Sequence, residues 1–75
     1  MAKRSEVVAK AVGRRIRELR KEEGWSQERL ADEADVHRTY MWGIEQGRRN
    51  PSLRHLLLIA DALDVPLTAL FDGIE

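Results

Sequence analysis

The stretch SQERLADEADVHRTYMWGIEQG, residues 26–47, decides the fold of this chain. It predicts two short helices joined by a tight turn, with Ser26 as the cap of the first helix and Asp35 in a left-handed turn position. Apolar residues stand where such a pair must pack on itself. They are Leu30, Ala34, Val36, Met41 and Ile44. The outward side of the second helix of this pair, the third helix of the chain, then carries Arg38, Thr39, Trp42 and Gln46.

An outward face of this kind suits entry into the major groove of DNA, because the helix packs by one edge and presents polar and aromatic side chains on the other. The formal net charge of zero argues weakly against nucleic acid, since many DNA-binding domains are basic. The charge is unevenly placed, however. Residues 37–55 carry four basic side chains and one acidic one, whereas residues 56–75 carry four acidic ones and no basic one. A patch of one sign can steer a partner even when the total cancels.

Length and composition exclude several classes of protein. The 75 residues predict one domain, residues 1–75. The absence of cysteine excludes disulfides and thiolate metal sites, and His37 and His55 have no partner at ligand spacing, so we expect no metal. No catalytic constellation or phosphate-binding loop is present, so we expect neither an enzyme nor a cofactor. No membrane span or signal peptide is visible, which predicts a soluble, cytoplasmic protein.

The remaining helices follow from apolar periodicity and capping residues. Gly13 lies inside the first helix and should cost up to about 1 kcal/mol against Ala. The predicted helices span Ser5 to Glu23 with Ser5 as cap, Gln27 to Ala34, Arg38 to Gln46 with His37 as cap, Leu53 to Leu63 with Ser52 as cap, and residues 67–72, which Gly73 ends. The last two helices carry more apolar surface than a short chain can bury alone, which predicts a homodimer. The residues expected at its interface are Leu58, Leu67, Leu70, Phe71 and Ile74.

Residues 26–65 as a whole resemble the DNA-binding domains of the Cro/repressor type, the XRE family, and the likeness extends over about residues 12–72. The segment RTYMWGIEQGRRN, residues 38–50, is most similar to the controller proteins of restriction–modification operons. The resemblance implies an all-α, compact, five-helix lambda-repressor-like domain with the helix-turn-helix at residues 27–46. Three residues depart from the family pattern: Asp35 replaces a turn glycine, Trp42 is unusually large, and Pro66 stands where a Ser cap is common.

The resemblance and the helix geometry together imply a set of DNA-binding residues. Arg38, in the first turn of the third helix, can pair with O6 and N7 of guanine. Gly43 would let the helix backbone approach DNA closely. Tyr40 has two equal interpretations, a DNA contact and a partly buried core ring, and Trp42 either touches DNA or shields a protein surface. The full set is Gln27, His37, Arg38, Thr39, Tyr40, Trp42, Gly43, Gln46, Arg48, Arg49 and Asn50.

Glu45 lies on the inward side of the third helix, where a half-buried carboxylate needs a partner. The Arg–Glu pair of the family implies that this partner is Arg20 of the first helix. We therefore expect a structural ion pair between Arg20 and Glu45.

The function predicted is a sequence-specific transcriptional regulator that binds a pseudo-palindromic operator in double-stranded DNA as a homodimer. RNA polymerase is a further candidate partner, and the controller of a restriction–modification system is the candidate role. Two alternatives stay open. One is an antitoxin or phage-type repressor of the same fold, and the other is a protein-interaction module that has lost DNA binding.

Overall fold

Four α-helices and one short 3₁₀ helix form the part of the chain that this computed structural model describes, residues 2–74. They are α1 (Arg4–Glu22), α2 (Gln27–Ala34), α3 (Arg38–Glu45), α4 (Leu53–Leu63) and the 3₁₀ helix (Leu67–Phe71). The predicted helical architecture is confirmed in its coarse form. The prediction of five α-helices needs correction, because the last element is a 3₁₀ helix.

Side-chain caps account for the starts of three helices. The Ser26 hydroxyl accepts a hydrogen bond from the Arg29 N–H at 3.0 Å at the start of α2. The Ser52 hydroxyl accepts one from the His55 N–H at 3.2 Å at the start of α4. At α3, Nδ1 of His37 accepts from the Thr39 N–H at 3.2 Å. The bounds of α2 and α4 match the predicted ones, and α3 ends one residue before the predicted Gln46.

The predicted cap of α1 is wrong. The helix begins at Arg4, with Lys3 at the cap position and no side-chain cap. The carbonyl of Lys3 accepts from the N–H groups of Glu6 and Val7 at 3.0 and 3.1 Å, which places Ser5 inside the first turn. The helix thus begins one residue before the serine, at Arg4, because a residue without a side-chain acceptor can occupy the cap position.

The turn between α2 and α3 determines how the third helix is presented. Asp35 adopts the left-handed conformation, with φ 56° and ψ 43°. The N–H of Val36 then donates to the Ala31 carbonyl at 2.9 Å, and the Val36 side chain is buried. Asp tolerates this conformation better than most residues with a Cβ. The turn therefore forms without the glycine that is usual in the family.

The 3₁₀ helix follows Pro66 and closes the fold over α1 and α4. The Ala69 N–H donates to the Pro66 carbonyl at 2.9 Å, three residues back, which is the bond pattern of a 3₁₀ turn. This tight turn points Leu70 into the core, where it is fully buried. The assignment of Leu70 to a dimer interface is therefore corrected, because its side chain is already covered within one chain.

The core lies where α1, α2, α3 and α4 meet under the 3₁₀ helix. Its fully buried side chains are Ile16, Leu30, Met41, Ile44, Ile59 and Leu70. Gly13 marks the crossing of α1 and α3. A Cβ at this position would collide with the carbonyl oxygen of Ile44 and would lie 2.8 Å from that of Glu45. The two helices approach closely because residue 13 has no side chain.

Across residues 2–74, no helix is both long enough and apolar enough to span a membrane.

Candidate nucleic-acid interface

The outward side of α3 exposes the residues that the sequence predicts there. Met41 and Ile44 are fully buried and hold the helix against its neighbours. Arg38 and Thr39, at the first turn, are exposed. Trp42 is 45% exposed one turn later, and Gln46 is exposed just past the end of α3. The helix therefore projects its first two residues from the fold, as entry into a groove requires.

The expected ion pair between Arg20 and Glu45 is present in the structure, and it joins α1 to α3. Nε of Arg20 donates to Oε2 of Glu45 at 2.8 Å, and Nη2 donates to Oε1 at 3.0 Å. The Glu45 side chain is only 1% exposed. The remaining end of the guanidinium donates to the Trp25 carbonyl at 2.9 Å. This bidentate pair ties the end of α3 to α1 with a defined geometry.

Gln27, one of the predicted DNA-binding residues, makes a hydrogen bond inside the protein. Its amide nitrogen donates to Oε1 of Glu45 at 3.1 Å, so α2 joins the same network. One amide hydrogen is therefore used inside the protein. The other amide hydrogen and the free N–H groups of the first turn of α2 stay available to an anion, since a helix start has unpaired donors.

Arg38 has a partner that the sequence analysis missed. Nη2 of Arg38 donates to Oδ2 of Asp32 at 2.9 Å, and Nε donates to Oδ1 at 3.4 Å. These hydrogen bonds hold the pKa of the Asp32 carboxyl below its ordinary value and raise the pKa of Arg38. Both groups are therefore charged at neutral pH. The sequence did carry an indication of this pair, since Asp32 and Arg38 have opposite charges and lie six residues apart, on either side of the predicted turn.

Gly43 is explained differently from the sequence expectation. The sequence predicts that Gly43 lets the helix backbone approach DNA closely, but in the structure Gly43 is buried. A Cβ at this position would lie 2.7 Å from Cγ of Arg49, so the aliphatic part of that side chain covers the helix backbone. Because Gly43 has no side chain, the Arg49 side chain can lie across the backbone of α3. A close approach of this backbone to DNA would first require Arg49 to move.

Tyr40 fits one of the two interpretations that the sequence left open, a partly buried core ring, and its contact with DNA stays a prediction. Its ring is half-buried and packs on the core, and it lies 4.6 Å from the His55 ring, centroid to centroid. The guanidinium of Arg49 lies 5.8 Å from the Tyr40 ring. Arg48 similarly lies 5.4 Å from the Trp42 ring. Cation–π contacts thus draw the basic loop onto the aromatic residues of α3.

Basic residues continue along α1 beyond the predicted set. Lys10, Arg14 and Arg17 are exposed at helical spacing, and with Gln46 and the edge of Glu45 they line a groove beside the end of α3. A second groove, between α2 and α3, is lined by Gln27, Glu28, Arg38, Thr39 and Trp42. The loop residues Arg48, Arg49 and Asn50 are exposed. The arrangement presents one projecting helix between cationic side chains, which suits a polyanionic double helix.

Comparison with known proteins agrees with this geometry. A family model described as "Helix-turn-helix" matches residues 16–70. The control protein C.MunI of Mycoplasma sp is 44% identical over 64 residues, which cover 84% of this chain and 86% of that protein. The crystal structure of the restriction-modification controller protein C.AhdI from Aeromonas hydrophila matches with a TM-score of 0.82 and 44% identity. That match covers 84% of this chain and 96% of that one.

Other relatives are longer than this chain. The immunity repressor protein of Bacillus phage phi105 is 42% identical over 59 residues, which cover 79% of this chain. They cover 41% of the repressor, so the chain spans less than half the length of that relative. The likeness to this protein is thus confined to one part of it.

Proposed function

This chain belongs to the XRE-type helix-turn-helix family of DNA-binding transcriptional regulators, and on that premise we propose that it is the controller protein of a restriction–modification system. In this role it binds a pseudo-palindromic operator as a homodimer. We propose that it acts in the cytoplasm, where its operator lies. Activation of transcription would add RNA polymerase as a partner. The similarity to two controller proteins over most of their length supports this role over others in the family.

The exposed first turn of α3 is the observation that carries the proposal. Arg38 and Thr39 project into solvent while Met41 and Ile44 anchor the same helix in the core. Recognition helices of this kind contact base edges with their N-terminal residues. Arg38 is assigned to guanine, Thr39 to a neighbouring base, and Trp42 to a thymine methyl or a sugar.

Phosphate contacts are assigned to the basic and polar groups that flank α3. Arg48, Arg49 and Asn50 lie after the helix, and the first turn of α2 lies before it. Lys10, Arg14 and Arg17 extend this basic surface along α1. Such contacts release counterions from DNA, so affinity should fall about a thousandfold between 50 and 200 mM salt if about six phosphates are contacted.

The dimer is proposed from the apolar surface that one chain leaves uncovered. Leu58, Leu67, Phe71 and Ile74 are only half-buried. Leu57 of α4 is 44% exposed and is added to this surface in place of Leu70. A two-fold dimer repeats one contact surface on both subunits, and two recognition helices then meet half-sites about 10 bp apart.

Selection of bound duplexes from a random pool tests the proposal. The expected product is a two-fold-related site with one preferred guanine in each half. Arg38→Ala should then reduce the preference for that guanine by about tenfold or more, because a bidentate pair is lost. Its affinity for random duplex should fall much less. Affinities are measured by fluorescence anisotropy at one fixed salt concentration.

Thr68→Ala is the matched control, since Thr68 is exposed on the 3₁₀ helix, outside α2, α3 and the basic loop. This variant should keep the wild-type preference. An equal loss by Arg38→Ala on operator and random DNA would refute the role of Arg38. Failure of the wild-type chain to enrich any sequence, or to bind random duplex at low salt, would favour the protein-interaction module.

A phage-type repressor remains the second candidate, favoured by the 42% identity to the immunity repressor protein of phage phi105. The two roles share the DNA-binding surface and differ in the genes that are controlled. A methyltransferase gene and an endonuclease gene beside the selected operator would identify a controller, whereas phage genes there would identify a repressor.

A further inference from the structure

The ion pair between Asp32 and Arg38 crosses the turn of the helix-turn-helix. Asp32 lies in the last turn of α2, and Arg38 is the first residue of α3. The Asp32 carboxylate holds Nη2 of Arg38 at 2.9 Å and Nε at 3.4 Å. Both side chains are more than half exposed, at 62% and 61%. The pair therefore lies at the surface, and Arg38 also lines the groove between α2 and α3.

The hydrogen-bond geometry leaves one edge of Arg38 unoccupied by Asp32. A guanidinium has five N–H donors, one on Nε and two on each terminal nitrogen. The carboxylate takes the donor on Nε and one donor on Nη2. The second donor on Nη2 and the donors on Nη1 form the opposite edge, which is suited to the O6 and N7 acceptors of guanine.

We propose that Asp32 is a positioning residue that holds Arg38 by its Nε–Nη2 edge, so that the opposite edge is presented to guanine. The inference rests on the proposed function and deepens it, because it assigns part of the base preference to a residue of α2 that touches no base. A long, exposed arginine loses side-chain entropy when it pairs with a base. If the Asp32 carboxylate already restricts the Arg38 side chain to the geometry that pairs with guanine, less side-chain entropy is lost on binding.

A stabilising role explains Asp32 less well. Exposed ion pairs contribute little to folding, since water and salt screen them. The carboxylate also lies beside a surface proposed to meet phosphates, where a negative charge weakens binding to any DNA sequence. This effect of the charge is common to all sequences, so a positioning effect of Asp32 should appear in the difference between operator and random DNA. The turn between the two residues has a defined conformation, with Asp35 in the left-handed region and Val36 buried, and it sets the separation of residues 32 and 38.

The test compares Asp32→Asn with Glu33→Gln, which makes the same change in charge on the same helix. Glu33 pairs with Arg29, at 3.4 Å, and is itself exposed. Each full-length variant is titrated with the operator selected by the wild-type chain and with the same operator changed at the guanine that Arg38→Ala identifies. Random duplex is the third probe. Unfolding midpoints are measured to establish that both variants fold as the wild type does.

Asp32→Asn is expected to reduce the preference for guanine about fivefold, because an unrestricted arginine adopts the pairing geometry less often. Glu33→Gln should leave that preference unchanged. Both variants should bind random duplex somewhat more tightly than the wild type, since each removes a negative charge.

Two results would overturn the inference while leaving the proposed function intact. In the first, Asp32→Asn keeps the wild-type preference although Arg38→Ala loses it. In the second, Asp32→Asn gains more affinity for the guanine operator than for random duplex, which would mean that the carboxylate competes with the base. A wild-type chain that shows no preference among sequences would instead refute the proposed function itself.

Discussion

At the scale of single residues, Glu45 shows how a charge on a DNA-facing helix is directed inward. Its carboxylate receives two hydrogen bonds from Arg20 and one from Gln27. Among the described residues, no buried polar side-chain atom lacks a hydrogen-bond partner. A buried pair of this kind need not add stability over apolar packing, but removal of one partner leaves the other charge uncompensated.

Glu45→Gln is therefore expected to lower the free energy of unfolding by about 3 kcal/mol, because Arg20 keeps its charge in a largely buried position. Urea denaturation measures the change. Glu33→Gln, which removes the same charge from an exposed pair, should change the free energy of unfolding by less than about 0.5 kcal/mol. Equal effects of the two substitutions would show that the buried pair has no special importance for the fold.

The two histidines illustrate how position determines the role of a residue. His37 caps α3 through Nδ1, and the His55 ring packs on Tyr40 while its Nδ1 lies 2.7 Å from the Ser52 hydroxyl. Each imidazole thus makes local contacts that support the basic loop and the first turn of α3.

At the scale of elements, the crossing of α1 and α3 depends on a residue that helix propensity alone would disfavour. Glycine within a helix normally costs about 1 kcal/mol relative to alanine. At position 13 a Cβ would meet the backbone carbonyls of Ile44 and Glu45, which cannot move without moving α3. Close packing at the crossing offsets the loss of propensity.

Gly13→Ala is expected to destabilise the fold by about 1–3 kcal/mol, the usual effect of overpacking, although the substitution favours the helix. Gly43→Ala is the matched control, because there the Cβ meets the flexible side chain of Arg49. That control should change the free energy of unfolding by less than about 1 kcal/mol, since the gain in propensity offsets the displaced side chain. A stabilising effect of Gly13→Ala in urea denaturation would contradict the close crossing.

The turn elements also explain why α3 is presented in one orientation. Asp35 supplies the left-handed backbone, Val36 is buried beyond it, and Arg20 holds Glu45 from the opposite side. The helix is thus held at both ends, and its anchors Met41 and Ile44 are fully buried between them. Arg38 and Thr39 occupy a constant position relative to the core.

At the scale of the whole molecule, the radius of gyration of 11.3 Å is that of a compact chain of this length, for which about 11 Å is expected. The exposed apolar surface of α4 is therefore not the result of an open fold. Leu53 and Leu57 are 64% and 44% exposed, beside the half-buried Leu58. A second copy of the chain is the occupant that the proposed function requires.

Leu58→Glu is expected to convert a dimer into a monomer in analytical ultracentrifugation and to reduce operator affinity, since two linked half-sites bind more tightly than one. Val7→Glu makes the same apolar-to-acidic change at an exposed position of α1 and should leave the dimer intact. Circular dichroism verifies that both variants fold. A wild-type chain that sediments as a monomer at micromolar concentration would contradict the dimer.

The sequence by itself determined the features that depend on neighbours a few residues away. Helical periodicity located α2 and α4 to the residue, serine caps set their starts, and Asp35 marked the left-handed turn. The pattern of apolar residues placed Met41 and Ile44 inward and Arg38 outward, and the family resemblance implied the pair of Arg20 and Glu45. The helix bounds, caps, turn and inward positions follow from local sterics and hydrogen bonding within one or two helical turns. The pair of Arg20 and Glu45 joins two helices, and only the resemblance, not any local pattern, implied it.

Only the tertiary structure decided how the elements meet. It placed Asp32 against Arg38, the side chain of Arg49 over Gly43, and Leu70 inside the core. It also gave Gly13 its role at a helix crossing and made the final helix a 3₁₀ turn. Each of these depends on the distance and angle between elements, which close packing of the whole core sets and which no local pattern of residues contains.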